Sequence, residues 1–394
     1  MTLLYPRFLA FAAGALLALG ACKKPEAAPT PAGSSSPEAP SAGLVIGHYA
    51  SLTGNTAHFG QDTDKAVRLA VEEVNATGGV LGKPVRVTTL DDRGDSAEAA
   101  NAVTRLLDVE HVNAIIGEVA SSLSLAGGRV AQRRGIPMVS PSSTNPKVTQ
   151  VGDFIFRVCF IDPFQGKVMA VFAKETLKLD TVAILKDVKN DYSIGLADTF
   201  RASFLAIGGK IAVEQSYSAG DTDFSAQVTA VKATKAQAIY VPGYYSEVGS
   251  IARTAQRLGV KVPLLGGDGW DAPELFKIGG DALEGSYFSN HFAPEGASPR
   301  GKAFIDAFKK KYGDEPTGLG MLGYDAAAVL FEAVKRAGSI DPKAMRDALA
   351  KTKDFDGVSG KITIDKDRNA EKSAVVIKIT GGKGKYEATV APTP

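Results

Sequence analysis

Cysteine is almost absent: two in 394 residues, Cys22 and Cys159. Two cannot build the disulfide framework that staples small secreted domains. Histidine is as scarce. His48, His58, His111 and His291 are scattered without metal-ligand spacing, so neither a metal nor a cofactor is expected. An excess of one charge is missing too. The 45 Lys and Arg against 43 Asp and Glu leave a net charge of +2, which argues against a nucleic-acid partner gathered by bulk charge. Enzyme signatures are lacking. Gly382-Lys383-Gly384-Lys385 does not have the spacing of a phosphate-binding loop, and there is no G-x-S-x-G elbow or H-E-x-x-H. One pattern does fit a fingerprint, Gly318-Leu319-Gly320-Met321-Leu322-Gly323. A dinucleotide site needs a strand directly before it, and here a helix and a Pro316 loop precede it. It reads as glycines entering a helix beside packed loops.

What is present is a globular α/β composition, 44% hydrophobic with 42 Gly, in a chain long enough for two domains. The first residues have the build of an export signal. Arg7 precedes an apolar run from Phe8 to Leu19, too short to span a bilayer. It ends Leu19-Gly20-Ala21-Cys22, which resembles the bacterial lipobox. Residues 1–21 are therefore expected to be a lipoprotein signal peptide, with lipidation at Cys22. The bland alternative is a plain signal peptide with an incidental Cys. Residues 22–43 are rich in Pro, Ala and Ser and are expected to form a flexible tether.

From Leu44 strands and helices alternate. LVIGHYA is a strand, a long helical pattern follows through Val74, and Gly78-Gly79 stop it. Pro84 to Leu90, Asn113 to Gly117 and Ile136 to Val139 are further strands, with a helix capped by Ser96 before the second of these. The alternation restarts after Asp153: a strand from Phe154, a helix from Pro163 to Leu177, and strands at Thr181, Lys210, Ala238 and Val262. Repeated β-α units imply parallel sheets with right-handed crossovers. The last third differs, with helices at Pro299–Tyr312, Gly323–Ala337 and Pro342–Thr352. Strands at Gly360–Ile364 and Ala374–Ile379 close the chain. These additions suggest a return to complete the first domain. Cys159 is expected to be a buried structural thiol.

Ligands of open α/β sheets bind at the carboxyl ends of strands. In the first half those positions hold Ser121 and Ser122, then Ser142, Ser143 and Thr144, hydroxyls beside free backbone N–H groups that suit an anion. Each is also what an ordinary N-cap or turn would carry. In the second half they hold Tyr192, Tyr244 and Asp268, with Trp270 two residues on, and Phe59 follows the first strand. Asp268 in Gly266-Gly267-Asp268-Gly269 is a turn residue on the plain reading. Taken together, the hydroxyls suit a carboxylate, the acid suits an ammonium and the aromatics suit an apolar side chain.

The stretches SLTGNTAHFGQ, VNATGGVLGKPV, DDRGD, IIGEVASS, GIPMVSPSSTNP, FRVCF, YVPGYYSEVG and GYDAA resemble the type I periplasmic binding proteins of ABC importers, and within them the leucine/isoleucine/valine-binding family. The resemblance covers most of the chain from Leu44 onward. It implies two Rossmann-like α/β lobes joined by a three-segment hinge, with a ligand in the interlobe cleft. The lobes would comprise residues 44–160 plus 292–372, and 161–291 plus 373–394. It implies an amino acid, branched-chain or otherwise apolar, captured by hinge closure and handed to permease subunits. Its carboxylate would be held by Ser121 and Thr144 with help from the backbone at Ser142, its ammonium by Asp268, and the rest contacted by Tyr192, Tyr244 and Phe59, with Ser143 also in the ligand site. Ser122 and Trp270 are secondary candidates. A neutral amide, urea or short peptide is the alternative ligand, and a receptor the alternative reader of the closed state. No catalysis is expected. The protein is expected to be a monomer in the periplasm or at the bacterial cell surface, held to the membrane only by its lipid. Three departures from the family bear on the ligand. Gly94 and Ala120 stand where the well-studied members form a disulfide, Asp268 stands for a Glu, and Phe59 stands for a Tyr or Trp.

Overall fold

The computed structural model describes residues 43–391. The expected signal peptide, the lipidation site Cys22 and the tether up to residue 42 lie outside the described residues. The first half runs β1 (Val45–Ala50), α1 (Ala57–Ala76), β2 (Arg86–Asp91), α2 (Ser96–Asp108), β3 (Ala114–Ile116), α3 (Ser121–Arg134), β4 (Met138–Ser140), α4 (Lys147–Gln150) and β5 (Ile155–Arg157). Its five strands form an all-parallel sheet in the order β2-β1-β3-β4-β5. The short strands β3 and β4 are buried throughout, because helices cover both faces of a parallel sheet.

The pattern repeats as α5 (Asp162–Val171), β6 (Thr181–Asp187), α6 (Asp191–Ala206), β7 (Lys210–Tyr217), α7 (Ser225–Lys232), β8 (Ala238–Tyr240), α8 (Tyr245–Arg257), β9 (Leu264–Gly266), α9 (Pro273–Gly279) and β10 (Tyr287–Asn290). Here the parallel order is β7-β6-β8-β9-β10. The last third comprises α10 (Pro299–Tyr312), α11 (Gly318–Ala337) and α12 (Pro342–Leu349). A small antiparallel sheet of β11 (Phe355–Gly357), β12 (Gly360–Ile364) and β13 (Ala370–Glu371) follows. Finally β14 (Ala374–Thr380) and β15 (Lys383–Val390) extend the second sheet antiparallel to β10.

Helix α11 lies along α1, and its Leu322, Leu330 and Val334 share a core with Ile46, Val67 and Ile116. The chain thus leaves the first sheet after β5, leaves the second after β10, and re-enters the second at β14. This is a two-domain α/β fold with parallel-dominated sheets.

Several local expectations need correction. Helix α11 begins at Gly318, not Gly323, so the glycine pattern forms its opening turns. A Cβ on Gly320 would lie 2.3 Å from Asp62 Oδ2, and one on Gly323 would lie 2.7 Å from Thr63 Cγ2. Close approach of α11 to α1 is what demands these glycines. Helix α2 is capped by Asp95, whose Oδ1 accepts from Ala97 N (2.8 Å) and Glu98 N (3.0 Å), rather than by Ser96. Helix α5 stops at Val171 and passes into a wider turn over Phe172–Thr176. Strands β10 and β15 were not expected.

Candidate functional site

In both sheets the first strand of the unit has neighbours on both sides, β2-β1-β3 and β7-β6-β8. Each sheet therefore has a point where connections diverge to opposite faces, and a crevice opens there at the strands' carboxyl ends. In the first domain this crevice lies beyond β1 and β3, where Ser51 and the turn into α3 are. In the second it lies beyond β6 and β8, where the starts of α6 and α8 bring Tyr192 and Tyr244.

The N-cap of α3 is Ala120, and no side chain caps the helix. Ser121 and Ser122 are therefore not the ordinary caps that the sequence allows. Ser121 Oγ is buried and accepts from Asn145 N at 3.2 Å. Ser122 Oγ reaches the second domain, donating to Asp191 Oδ2 (3.1 Å) and accepting from Asp191 N (2.9 Å).

The loop after β4 is fixed from beneath. Ser143 Oγ donates to the Glu118 and Val119 carbonyls, both at 2.9 Å, and the buried Arg157 guanidinium donates to the carbonyls of Ser143 and Asn145. Ser143 thus serves the loop itself. Ser142 Oγ is buried without a protein partner. Thr144 Oγ1 leans toward the Asp162 carboxyl without reaching hydrogen-bond geometry. Buried hydroxyls are rarely left unpaired, and an unsatisfied one costs about 1–3 kcal/mol. The loop after β4 carries two such groups, Ser142 and Thr144, and its Asn145 N–H donates to Ser121 Oγ.

Asp268 is buried on the second domain's side. Its Oδ1 accepts from Gln165 Nε2 and from Tyr192 OH, both at 3.0 Å, and its Oδ2 lies 3.0 Å from His291 Nε2. The same Gln165 amide donates to Asp162 Oδ1 at 3.0 Å, so Asp162, Gln165 and Asp268 form one connected polar run. Burial, aided by the nearby Asp268 charge, pushes the Asp162 carboxyl up to about 7. Burial also holds the His291 imidazole below its ordinary value despite its contact with Asp268. No hydrogen-bond partner of Asp268 carries a fixed charge.

The aromatics assemble across the domains. Tyr192 and Tyr244 stack at 5.3 Å, and Phe59 from α1 meets Tyr244 and Tyr245 edge-on at 5.6 and 4.9 Å. Trp270 faces the second domain's core instead, with its Nε1–H donating to the Val241 carbonyl at 3.0 Å. A cavity of about 390 Å³ opens between the domains beside this cluster, with Thr56, Arg93, Ser122, Asn190, Tyr244 and Glu247 in its wall. Cys159 is buried, its thiol pushed up to about 12 by burial. Among the described residues no group of His, Cys, Asp and Glu could hold a metal ion, and no helix is long and apolar enough to cross a membrane.

The structure therefore brings together Phe59, Tyr192, Tyr244 and Asp268, and it places Ser121, Ser142 and Thr144 at the start of α3 and in the loop after β4. It assigns Ser143, Ser122 and Trp270 to the loop, to the domain contact and to the core. Sequence reasoning missed Asp162, Gln165, Asn145, Asp191 and His291. The i, i+3 pair Asp162 and Gln165 at a helix start was a usable signal. His291 followed a strand that was itself unseen.

Comparison with known proteins gives a consistent picture. The family model described as periplasmic binding protein matches residues 43–384. A Leu/Ile/Val-binding protein of Rhizobium johnstonii is 33% identical over 324 residues, 82% of this chain and 87% of that one. The leucine binding protein LivK of Thermotoga maritima superposes with a TM-score of 0.86 at 44% identity, covering 89% of this chain and 99% of that one. LivJ of Streptococcus pneumoniae, a branched-chain amino acid transporter substrate binding protein solved with isoleucine, gives 0.84 at 35% identity, covering 89% and 100%.

Proposed function

The chain belongs to the periplasmic binding protein family, and on that premise we propose that it captures an amino acid with a branched-chain or other apolar side chain between its domains and delivers it to an ABC importer permease. The relatives named above bind leucine, isoleucine or valine. The observation that carries the reading is Asp268, a buried carboxylate whose partners Gln165, Tyr192 and His291 are all neutral donors. A ligand ammonium completes it. Ser121, Ser142 and Thr144 take the ligand's carboxylate, while Phe59, Tyr192 and Tyr244 enclose the remainder. Binding begins on the first domain, and closure adds the contacts of the second, so the ligand shifts the population toward the closed form. No step of bond making or breaking is assigned, so we read the chain as a carrier rather than an enzyme.

The lobes in this reading are 44–160 plus 292–372 and 161–291 plus 373–394, supported by sheet membership for the strands of the two large sheets and by the packing of α11 on α1. The family works outside the cytoplasm. We extend this to a lipid anchor at Cys22, with the protein a monomer on its tether. Replacing Cys22→Ser should move the protein from the membrane to the soluble fraction, and unchanged membrane association removes the anchor.

Asp268→Ala should weaken leucine binding at least roughly tenfold, about 1.4 kcal/mol, in a calorimetric titration. Unchanged affinity would take Asp268 out of the site, whereas no leucine binding by the wild type would favour a neutral amide, urea or short peptide.

A further inference from the structure

His291 stands where the chain crosses between domains, directly after β10. Its side chain is fully buried, and Nε2 lies 3.0 Å from Asp268 Oδ2. Its ring stacks on Phe160 at 3.8 Å between centroids and 29° between planes. Phe160 belongs to the crossing that follows β5. The third crossing, before β14, brings Lys372, whose Nζ donates to the Ser359 carbonyl at 3.1 Å. Lys372 and His291 share the wall of a cavity of about 320 Å³ at this junction. All three crossings therefore meet around one imidazole that also touches the acid of the candidate site.

The chemistry of the contact fixes the imidazole's role. Burial disfavours a charged imidazole, and the Lys372 charge adds to this. A neutral ring against a carboxylate places its proton on Nε2, leaving Nδ1 with a lone pair and no protein partner. The imidazole then donates to Asp268 without neutralising it, so the carboxylate keeps its charge for a cation. Asp268 is held from three directions, by Gln165, Tyr192 and His291, and only His291 sits on a domain crossing.

We propose that His291 is a positioning residue that holds Asp268 toward the ligand's amine and ties that end of the site to the segments on which the domains pivot. The inference rests on the proposed role of Asp268. Leucine binding to two variants tests it. His291→Phe keeps an aromatic ring against Phe160 and removes the donor, whereas His291→Gln restores an N–H donor without the ring. After both are checked for an unliganded thermal midpoint near that of wild type, the Phe variant should bind leucine at least roughly tenfold more weakly. The Gln variant should stay within about threefold of wild type. A Phe variant that binds like wild type, or a Gln variant as weak as Phe, overturns the proposal, because the ring and not the donor would then matter. If the Phe variant does not fold, the Gln variant decides alone: a tenfold loss there overturns the role. Asp268→Ala separates the two levels. If that change leaves leucine affinity intact, the amine site itself fails. If it abolishes binding while His291→Phe does not, only the role of His291 falls.

Discussion

Asp162 and Asp268 are two buried carboxyls joined through one amide, and they do not share a fixed cation. Because burial and the Asp268 charge raise Asp162 to about 7, Asp162 carries a proton for part of the time near neutrality. An ammonium bound at Asp268 offsets that charge, lowers the Asp162 value and expels a fraction of a proton. At pH 7 the heat of leucine binding should therefore be more exothermic in Tris than in phosphate, since Tris releases more heat on taking up a proton. Asp162→Asn should abolish the difference, and equal heats in both buffers for the wild type would remove Asp162 from the ligand's field. The sign for stability follows from the same shift. A carboxyl raised in the folded state contributes stability that is complete below its unfolded value near 3.8 and is lost as pH climbs through about 7. The unliganded thermal midpoint should fall between pH 5 and pH 7.5, and fall less in Asp162→Asn. The raised carboxyl was not legible in the sequence, where Asp162 and Gln165 show only as an i, i+3 pair at a helix start. The placement of Ser121, Thr144, Tyr192, Tyr244 and Asp268 after strands was legible, because a polar residue just after a buried strand has few positions open to it other than a sheet's carboxyl edge. Which hydroxyls face a ligand depends on loop contacts. Ser143 and Ser142 are neighbours, yet one is committed to the Glu118 carbonyl and the other is unpaired.

At the scale of elements, legibility tracked apolar content. Strands β1, β6 and β7 and helix α10 read clearly, since their runs are long or their caps explicit. Ser298 Oγ accepts from Gly301 N at 3.0 Å with Pro299 in the first turn, an unambiguous helix start. Strand β15, KGKYEATV, was invisible because it is a sheet edge. Most of its residues are exposed, and lysines on an edge strand discourage pairing with another chain, so no hydrophobic alternation survives. Strand β10 is only four residues, and its position between β9 and β14 is set by partners far away in sequence. The opening of α11 shows the opposite failure, a pattern seen but left outside the helix whose first turns it forms. Its glycines are needed because Asp62 and Asp271 approach the helix start. Asp62 Oδ2 accepts from Thr317 N at 2.9 Å, and Asp271 Oδ2 accepts from Gly318 N at 2.7 Å. Carboxylates are favoured at a helix N-terminus. Asp271 belongs to the second sheet's side and α11 packs with the first, so the helix start is a fixed contact between the domains beside the crossings.

For the molecule as a whole, the proposed function rests on a balance between open, separated domains and closed, touching ones. The touching surfaces combine polar and aromatic contacts. His58 pairs with Glu274 at 3.1 Å, Asn145 Nδ2 donates to the Asp191 carbonyl at 2.7 Å, and Phe59 sits against Tyr244 and Tyr245. The Ser122 hydroxyl is the most economical of these contacts. It makes two hydrogen bonds to Asp191, one with the side chain and one with the backbone N–H, and neither exists once the domains part. A ligand that docks first on the first domain meets Ser121, Ser142 and Thr144 without needing Asp191. Removing the Ser122 hydroxyl should therefore leave the association rate near wild type and raise the dissociation rate. A net loss of about 1 kcal/mol for such hydrogen bonds corresponds to roughly fivefold in rate and affinity. The chain contains a single tryptophan, Trp270, buried two residues from Asp268, so stopped-flow fluorescence on leucine has one reporter close to the closing face. Ser122→Ala with a slower association and an unaltered dissociation would mean that Ser122 meets the ligand before closure and does not act as a latch afterwards.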